Sequence, residues 1–126
     1  MRLVTGTLAA FAACLGVACG AAAPVPAAQV TETQAAIRAA EEVGAPSVPK
    51  AALHLKMAKD QLQTAQALMA QEDNDQAKLT LDRARVDGEL ALALAREAAF
   101  RQKAVEALDK IKKLREEAGI SRPADK

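Results

Sequence analysis

The sequence predicts an all-α protein: an antiparallel helical hairpin of the coiled-coil type, preceded by a short extra helix and completed by one long C-terminal helix. Apolar residues make up 51% of the 126 residues and aromatic residues only 2%. Much of the apolar share is alanine, the strongest helix former. Apolar positions recur at alternating spacings of three and four residues, which is typical of paired helices. Glycine, proline and polar clusters separate the periodic segments, where helices end.

Residues 1–18 have the layout of a secretory signal peptide. Arg2 gives a positive start, and the stretch from Leu3 to Leu15 is apolar and uncharged. This stretch is shorter than the roughly 20 residues that a helix needs to span a bilayer. The sequence Leu-Gly-Val-Ala-Cys at 15–19 resembles the bacterial lipobox, so we expect lipidation at Cys19. Lipidation at Cys14, or ordinary cleavage without a lipid, are the alternatives.

The residue after Cys19 bears on location. By resemblance to proteobacterial lipoproteins, Gly20 rather than aspartate at this place implies sorting to the outer membrane. We therefore expect a cell-envelope protein that is lipid-anchored on the periplasmic face of the outer membrane. Residues 19–30 would comprise the lipidated cysteine and a flexible tether, because residues 20–29 carry two prolines and no charge.

The helical domain is predicted over residues 31–119. Thr31 and Gln34 form a capping-box pattern, which predicts a first helix from 31 to about 43. Glycine and two prolines within residues 44–49 then break the helix.

The second and third helices are predicted at about 48–70 and 75–118. Ser47 is expected to cap the second helix, with a proline in its first turn. Asp73 and Gln76 give a second capping-box signal in the polar turn between the helices. The third helix would end before a glycine and would leave residues 120–126 as a tail.

The short polar turn makes the second and third helices antiparallel neighbours. Folding the chain at this turn brings a large residue opposite a small one in most layers, as close packing requires. The predicted facing pairs are Met69–Ala77, Ala65–Leu81, Leu62–Ala84, Ala58–Gly88, Leu55–Ala91, Ala51–Ala95 and Val48–Ala98. Gly88 inside a helix is explained if it allows the backbones to approach closely.

The spacing restarts near the end of the third helix, at Phe100, Ala104, Ala107, Ile111, Leu114 and Ala118. The simplest geometry is a kinked arm, in which helices one and two lie end to end along the third. Ile37 and Ala40 would then contact the region 107–111. The competing geometry is a compact three-helix bundle, with helix one folded beside helix two.

A second apolar stripe on the third helix would be left exposed by a hairpin alone. This outer stripe comprises Leu79, Val86, Leu90, Ala93 and Leu94. Exposed apolar stripes mark interaction surfaces, so we expect either self-association or a partner helix here. The other interpretation is that helix one covers the stripe.

Few residues could carry chemistry, so we expect no enzyme, cofactor or metal site. His54 is the only histidine and has no carboxylate one turn away on its own helix, so we expect a surface residue. The chain has no metalloprotease, phosphate-loop or EF-hand motif. A formal net charge of +1 argues against nucleic-acid binding, which needs a basic excess.

The stretches 36–46, 52–62 and 77–96 give the chain a resemblance to a family. An Ala-rich helical hairpin behind a lipobox is similar to the bacterial envelope lipoproteins of the domain-of-unknown-function family 4398, over roughly residues 30–100. The resemblance implies no catalytic residues. Some relatives carry an extra peptidoglycan-binding domain, which this sequence lacks.

We therefore expect an outer-membrane-anchored scaffold or adaptor that contacts the membrane through its lipid and a protein partner through the outer stripe. The alternative is a cell-wall tether that contacts peptidoglycan through its basic end. Residues 101–126 carry eight basic and five acidic side chains, which is the observation behind that alternative.

Overall fold

A computed structural model describes residues 23–119 of the chain. This part contains three α-helices, α1 (Ala27–Glu42), α2 (Pro49–Ala70) and α3 (Asn74–Glu117), with a 3-10 turn at Ala45–Ser47. No strand occurs within it. The all-α class and the hairpin of α2 with α3 are confirmed. The predicted signal peptide, both candidate lipidation sites (Cys14 and Cys19) and the 120–126 tail lie outside the described residues.

The helices form a compact up-down-up bundle. The buried Thr33 hydroxyl in α1 donates a hydrogen bond to the carbonyl of Leu81 in α3, at 3.2 Å. Further along both helices, about one turn on in α1 and two turns on in α3, Ala36 lies against Gly88. α1 therefore runs parallel to the first half of α3, beside α2, to which a Glu41–Lys59 ion pair also joins it.

The kinked-arm geometry is thus wrong, and the reason lies in the break after α1. Gly44 adopts a left-handed conformation with φ of 91°, and the 3-10 turn follows at once. This combination reverses the chain within a few residues, since glycine reaches positive φ without steric cost. Ala45 is completely buried in the turn, which fixes α1 against its neighbours.

Ile37 and Ala40 also pack elsewhere than predicted. Both are buried, and neither lies against residues 107–111, because α1 ends on the first half of α3. They belong to one core cluster with residues of α2, α3 and the connecting turn. Its other buried members are Ala45, Ala51, Leu55, Ala58, Ala91 and Ala95.

The predicted inner seam between α2 and α3 is confirmed. Its buried members are Ala51, Leu55, Ala58 and Ala65 on α2, and Ala77, Leu81, Ala84, Gly88, Ala91 and Ala95 on α3. Gly88, however, has its nearest neighbours in α1 and not at Ala58. A Cβ placed on it would lie 3.1 Å from the Cβ of Ala36, so its lack of a side chain admits α1.

Two helix starts differ from the prediction. α1 begins at Ala27, so the last four residues of the predicted tether are helical. Thr31 lies inside the helix, where its hydroxyl donates to the carbonyl of Ala27 at 3.1 Å instead of capping a terminus. Val48 occupies the N-cap position of α2, and Ser47 makes no capping hydrogen bond. Pro49 at the first helical position supplies the favourable φ instead.

The start and end of α3 follow the sequence signals. The carboxylate of Asp73 accepts a hydrogen bond from the backbone N–H of Gln76, at 3.3 Å. The side-chain amide of the next residue, Asn74, donates to the carbonyl of Ala23 at 2.7 Å, which holds the incoming chain at this end of the bundle. Gly119, with φ of 67°, follows the last turn.

The second half of α3 leaves the bundle altogether. From Ala99 to Gly119 every residue is exposed. At 1.5 Å per residue this extension is roughly 30 Å long. The restarted apolar spacing from Phe100 onward therefore faces solvent instead of α1.

Candidate interaction surface

The outer stripe lies on the side of α3 that faces away from α1 and α2. Leu79 and Val86 are each 54% exposed and Leu90 is 40% exposed, and Ala93 is exposed as well. α1 therefore does not cover these four residues. Leu94 differs, since it is partly buried and packs against the core cluster.

Exposed apolar side chains continue beyond Ala93 along the extension of α3. They are Phe100 (68% exposed), Val105 (54%), Leu108 (65%), Ile111 (46%) and Leu114 (54%). Within residues 23–119, then, an exposed apolar surface accompanies α3 from its first turns to its last. Surfaces of this extent are typical of sites that bind another protein or a membrane.

A polar clasp joins α2 to α3 beside the inner seam. The imidazole Nδ1 of His54 lies 2.9 Å from Oδ1 of Asp87. The amide nitrogen of Gln61 donates to the other carboxylate oxygen at 2.8 Å. His54 is thus not a free surface residue as predicted: its side chain is 27% exposed and that of Asp87 is 16% exposed.

The helix that carries His54 offers no carboxylate one turn away, and its partner, Asp87, lies on α3. The signal was available in the antiparallel pairing, which brings the helix-two segment around residue 58 near residue 88 of helix three. Asp87, one position before Gly88, then lies beside the polar side chains His54 and Gln61 of α2. The contacts of Asp87 are interhelical hydrogen bonds, which fix the register of the two helices.

Ion pairs border the outer stripe on the exposed side of α3. Arg85 and Glu89 are one turn apart and pair at 2.6 Å, and Glu97 pairs with Arg101 at 2.6 Å. The hydrogen bond and the charge of Glu89 raise the pKa of Arg85 above its ordinary value. These pairs give the apolar stripe a charged border.

An open cleft of about 440 Å³ lies where the start of α2 meets α3. It is lined by Val48, Pro49, Lys50, Leu94, Glu97, Ala98 and Arg101. Glu97 and Arg101 form an ion pair with each other. The cleft shows no set of polar groups that converge on one point, as the groups that position a substrate do. We assign it no binding role.

Two further findings concern the described part of the chain alone. Residues 23–119 contain no group of three or more histidine, cysteine, aspartate or glutamate side chains that could hold a metal ion. None of the helices in that range has the length and apolar character required to cross a bilayer.

The comparisons with known proteins give one positive result. A family model described as "Domain of unknown function (DUF4398)" matches residues 28–108, well over half of the chain and all of the bundle. Searches of the curated proteins and of the solved structures found no match.

Proposed function

This chain belongs to the family described as a domain of unknown function, DUF4398, and we propose that it acts as a non-catalytic helical scaffold in the bacterial periplasm. On this proposal Cys19 carries a lipid that anchors the protein to the outer membrane. The bundle presents the outer stripe to another helix. Its role is to hold proteins together instead of transforming a substrate.

The exposure of the outer stripe is the observation that carries the scaffold role. Leu79, Val86 and Leu90 project from a helix whose opposite side is already packed against α1 and α2. Complete burial of an exposed large aliphatic side chain stabilises by about 1.5–3 kcal/mol. These three residues are 40–54% exposed, so a partner that covers them gains roughly half of that for each. The inner seam is lined mostly by alanine and glycine, so the bundle interior leaves no room for a reactant.

The proposed location depends on the lipobox-like sequence before Cys19. Several acyl chains on a cysteine hold a protein stably on a bilayer without any membrane-spanning helix. The bundle itself has no need to insert. The residues between Cys19 and Ala23, where the chain is fixed to the bundle, would separate it from the lipid surface.

We expect metabolic labelling with a clickable fatty acid to mark the wild-type chain and to place it in the outer-membrane fraction. Cys19→Ala should lose both the label and the fractionation, whereas Cys14→Ala, the matched control, should keep them. An unlabelled wild-type protein would remove the anchor from the proposal. Label lost only in Cys14→Ala would move the anchor to that residue.

A cell-wall tether is a second candidate, and one observation favours it. The basic residues Arg101, Lys103, Lys110, Lys112 and Arg115 are all exposed on the extension of α3. They are placed where an anionic wall polymer could reach them.

Replacement of Lys112 and Arg115 by glutamine, together with removal of residues 119–126, separates the two candidates, because basic residues of the extension and of the C-terminal end are then both lost. A wall tether that uses the basic C-terminal end should then lose its retention on purified peptidoglycan sacculi. A scaffold should keep its protein contacts, because the outer stripe remains intact. Wild-type protein that shows no retention on sacculi would exclude the tether.

A further inference from the structure

The outer stripe and the extension of α3 form one continuous surface with a seven-residue repeat. Leu79, Val86, Ala93, Phe100, Ala107 and Leu114 follow one another at intervals of seven, and all are exposed. Each member of a second row lies four residues after a member of the first row. This second row consists of Arg83, Leu90, Glu97, Ala104, Ile111 and Ala118, and it is exposed throughout. We call these two rows the heptad face.

A sustained pattern of this kind selects another helix as its partner. Apolar residues at alternating spacings of three and four keep their seam toward one facing helix along its whole length. The inner seam lies on the opposite side of α3, where it packs against α1 and α2. No other element within residues 23–119 covers the heptad face. We infer that the heptad face binds the same face of a second copy of this chain, in the antiparallel direction. This inference rests on the proposed scaffold role and names its partner.

Core complementarity favours a register centred on residue 95. In that register Leu90 faces Phe100 of the second copy, Leu79 faces Ile111, and Val86 faces Ala104. The two charged members of the face meet small residues. Arg83 lies opposite Ala107, and Glu97 lies opposite Ala93, so their apolar stems can cover the seam while their charges reach water. The overlap from 79 to 111 is roughly 50 Å long.

Charge complementarity supports the same register independently. One edge of the heptad face carries Asp82 and Glu89 in the first half of α3, and Lys103 and Lys110 in the second half. The antiparallel dimer pairs Asp82 with Lys110 and Glu89 with Lys103. Two-fold symmetry makes each pair twice, since the same patch serves both copies. Opposite charges at these flanking positions set the direction and the partner of paired helices.

The parallel dimer and one of the two shifted antiparallel registers bring like charges together, and the other shift buries a charge against a large apolar residue. A parallel dimer would bury Arg83 against Arg83 and Glu97 against Glu97, and it would set Arg96 beside Arg101. An antiparallel shift by one repeat in one direction sets Asp82 beside Glu117 and Arg96 beside Lys103. A shift in the other direction moves Glu97 from Ala93 to Val86. In the register centred on residue 95, Arg96 meets its own copy at the symmetry axis, where Glu97 of both chains lies beside it.

The charges along the heptad face complement a second copy of the chain better than they complement an anionic bilayer. A helix that lies on such a bilayer carries basic residues along its whole polar border. Here one edge of the face carries Asp82 and Glu89 in the first half of α3, and Lys103 and Lys110 in the second half. Only a partner with the reverse order complements both halves, and the same helix turned around has that order.

A charge exchange tests the pairing in the full chain purified in detergent. Glu89→Lys should raise the dimer dissociation constant about tenfold in sedimentation equilibrium, because two attractions become two repulsions. Lys103→Glu should do the same. The double variant, Glu89→Lys with Lys103→Glu, should restore most of the wild-type affinity, since it reinstates the attraction between the chains and leaves only the Arg85–Glu89 pair within each chain broken. Failure of the double variant to recover would overturn the register.

An apolar variant tests the face itself. Leu90→Glu should abolish the dimer while circular dichroism keeps its helical signal, because Leu90 lies opposite the inner seam. The matched control is Leu53→Glu on α2, where Leu53 is 58% exposed and lies outside the heptad face. It should remain dimeric.

Disulfide trapping in cells tests the direction. Chains that carry Val86→Cys, mixed with chains that carry Ala104→Cys, should yield the mixed crosslink in preference to either crosslink of like with like. Chains without these substitutions control for the native cysteines. Preferred crosslinks of like with like would establish a parallel pair and overturn the inference.

The outcomes distinguish this inference from the scaffold proposal. A wild-type chain that is monomeric at every concentration overturns the dimer. If such a monomer still crosslinks through Leu90 to another envelope protein, or binds anionic vesicles through the heptad face, the surface belongs to that occupant. Loss of fatty-acid labelling, by contrast, removes the proposed location and leaves the dimer untouched.

Discussion

Replacement of Leu81 by alanine is expected to lower the free energy of unfolding by about 2–5 kcal/mol. Leu81 is completely buried, and it is one of the largest side chains in this state. Most of its neighbours in the inner seam are alanine, so they cannot collapse far into the cavity that the substitution leaves. A domain of this size has a total stability of only about 5–15 kcal/mol. The variant should therefore lose a large fraction of the stability of the bundle.

Urea denaturation followed by far-ultraviolet circular dichroism measures this loss. The chain has no tryptophan or tyrosine, so intrinsic fluorescence offers little signal. Leu53→Ala is the matched control, because Leu53 is 58% exposed on α2. It should change stability by less than about 0.5 kcal/mol. Equal effects of the two substitutions would contradict the burial of Leu81.

Replacement of Gly88 by leucine is expected to destabilise the bundle by about 1–3 kcal/mol, despite the better helix propensity of leucine. A Cβ on residue 88 already lies 3.1 Å from the Cβ of Ala36 and 3.4 Å from the carbonyl carbon of that residue. These contacts are with the backbone of α1 and with the methyl group of Ala36, which cannot move away by changing rotamer. The larger leucine can be accommodated only if α1 moves away.

The same urea titration checks the Gly88 variant. Ala99→Leu is its control, since Ala99 is exposed on the extension of α3. This substitution should leave stability nearly unchanged. The Gly88 variant should also lose amide protection in α1 before α2. A Gly88→Leu protein as stable as the wild type, with α1 fully protected, would mean that α1 does not pack on this face.

The hairpin could be predicted from the sequence because its information is local. Asp73 and Gln76 mark the start of α3, and Gly119 marks its end. The alternating spacing on both sides of the turn defines which residues are buried. One register places large residues against small ones, so the periodicity and the turn together determine the pairing.

The position of α1 could not be predicted in the same way. α3 carries apolar residues on two sides, and a helix as short as α1 has too few large residues to identify which side it covers. The decisive information lies in two small residues. Gly88 and Ala36 permit the close contact, and the left-handed Gly44 turns the chain toward it. Alanine and glycine leave a weak pattern in a sequence, although their effect on backbone distance is large.

The candidate surface was only partly predictable for a related reason. The sequence predicts Leu79, Val86 and Leu90 as an exposed stripe, whereas the kinked-arm geometry treats the spacing that restarts at Phe100 as a separate seam, with residues 107–111 against helix one. Both groups belong to the same repeat of seven residues. They are exposed together because the bundle ends near Ala98. The length of α1 and α2, not the pattern on α3, determines where the covered part of α3 stops.

The hydrogen bond from Asn74 to Ala23 gives the molecule a built-in polarity. It fixes the point where the chain enters the bundle next to the first residue of α3. A protein held by its amino-terminal segment would therefore be gripped at one end of a rod, with the opposite tip roughly 65 Å away. Small rotations about the attached end move the opposite tip over a long distance, so the tip can reach a far larger volume than the size of the protein suggests.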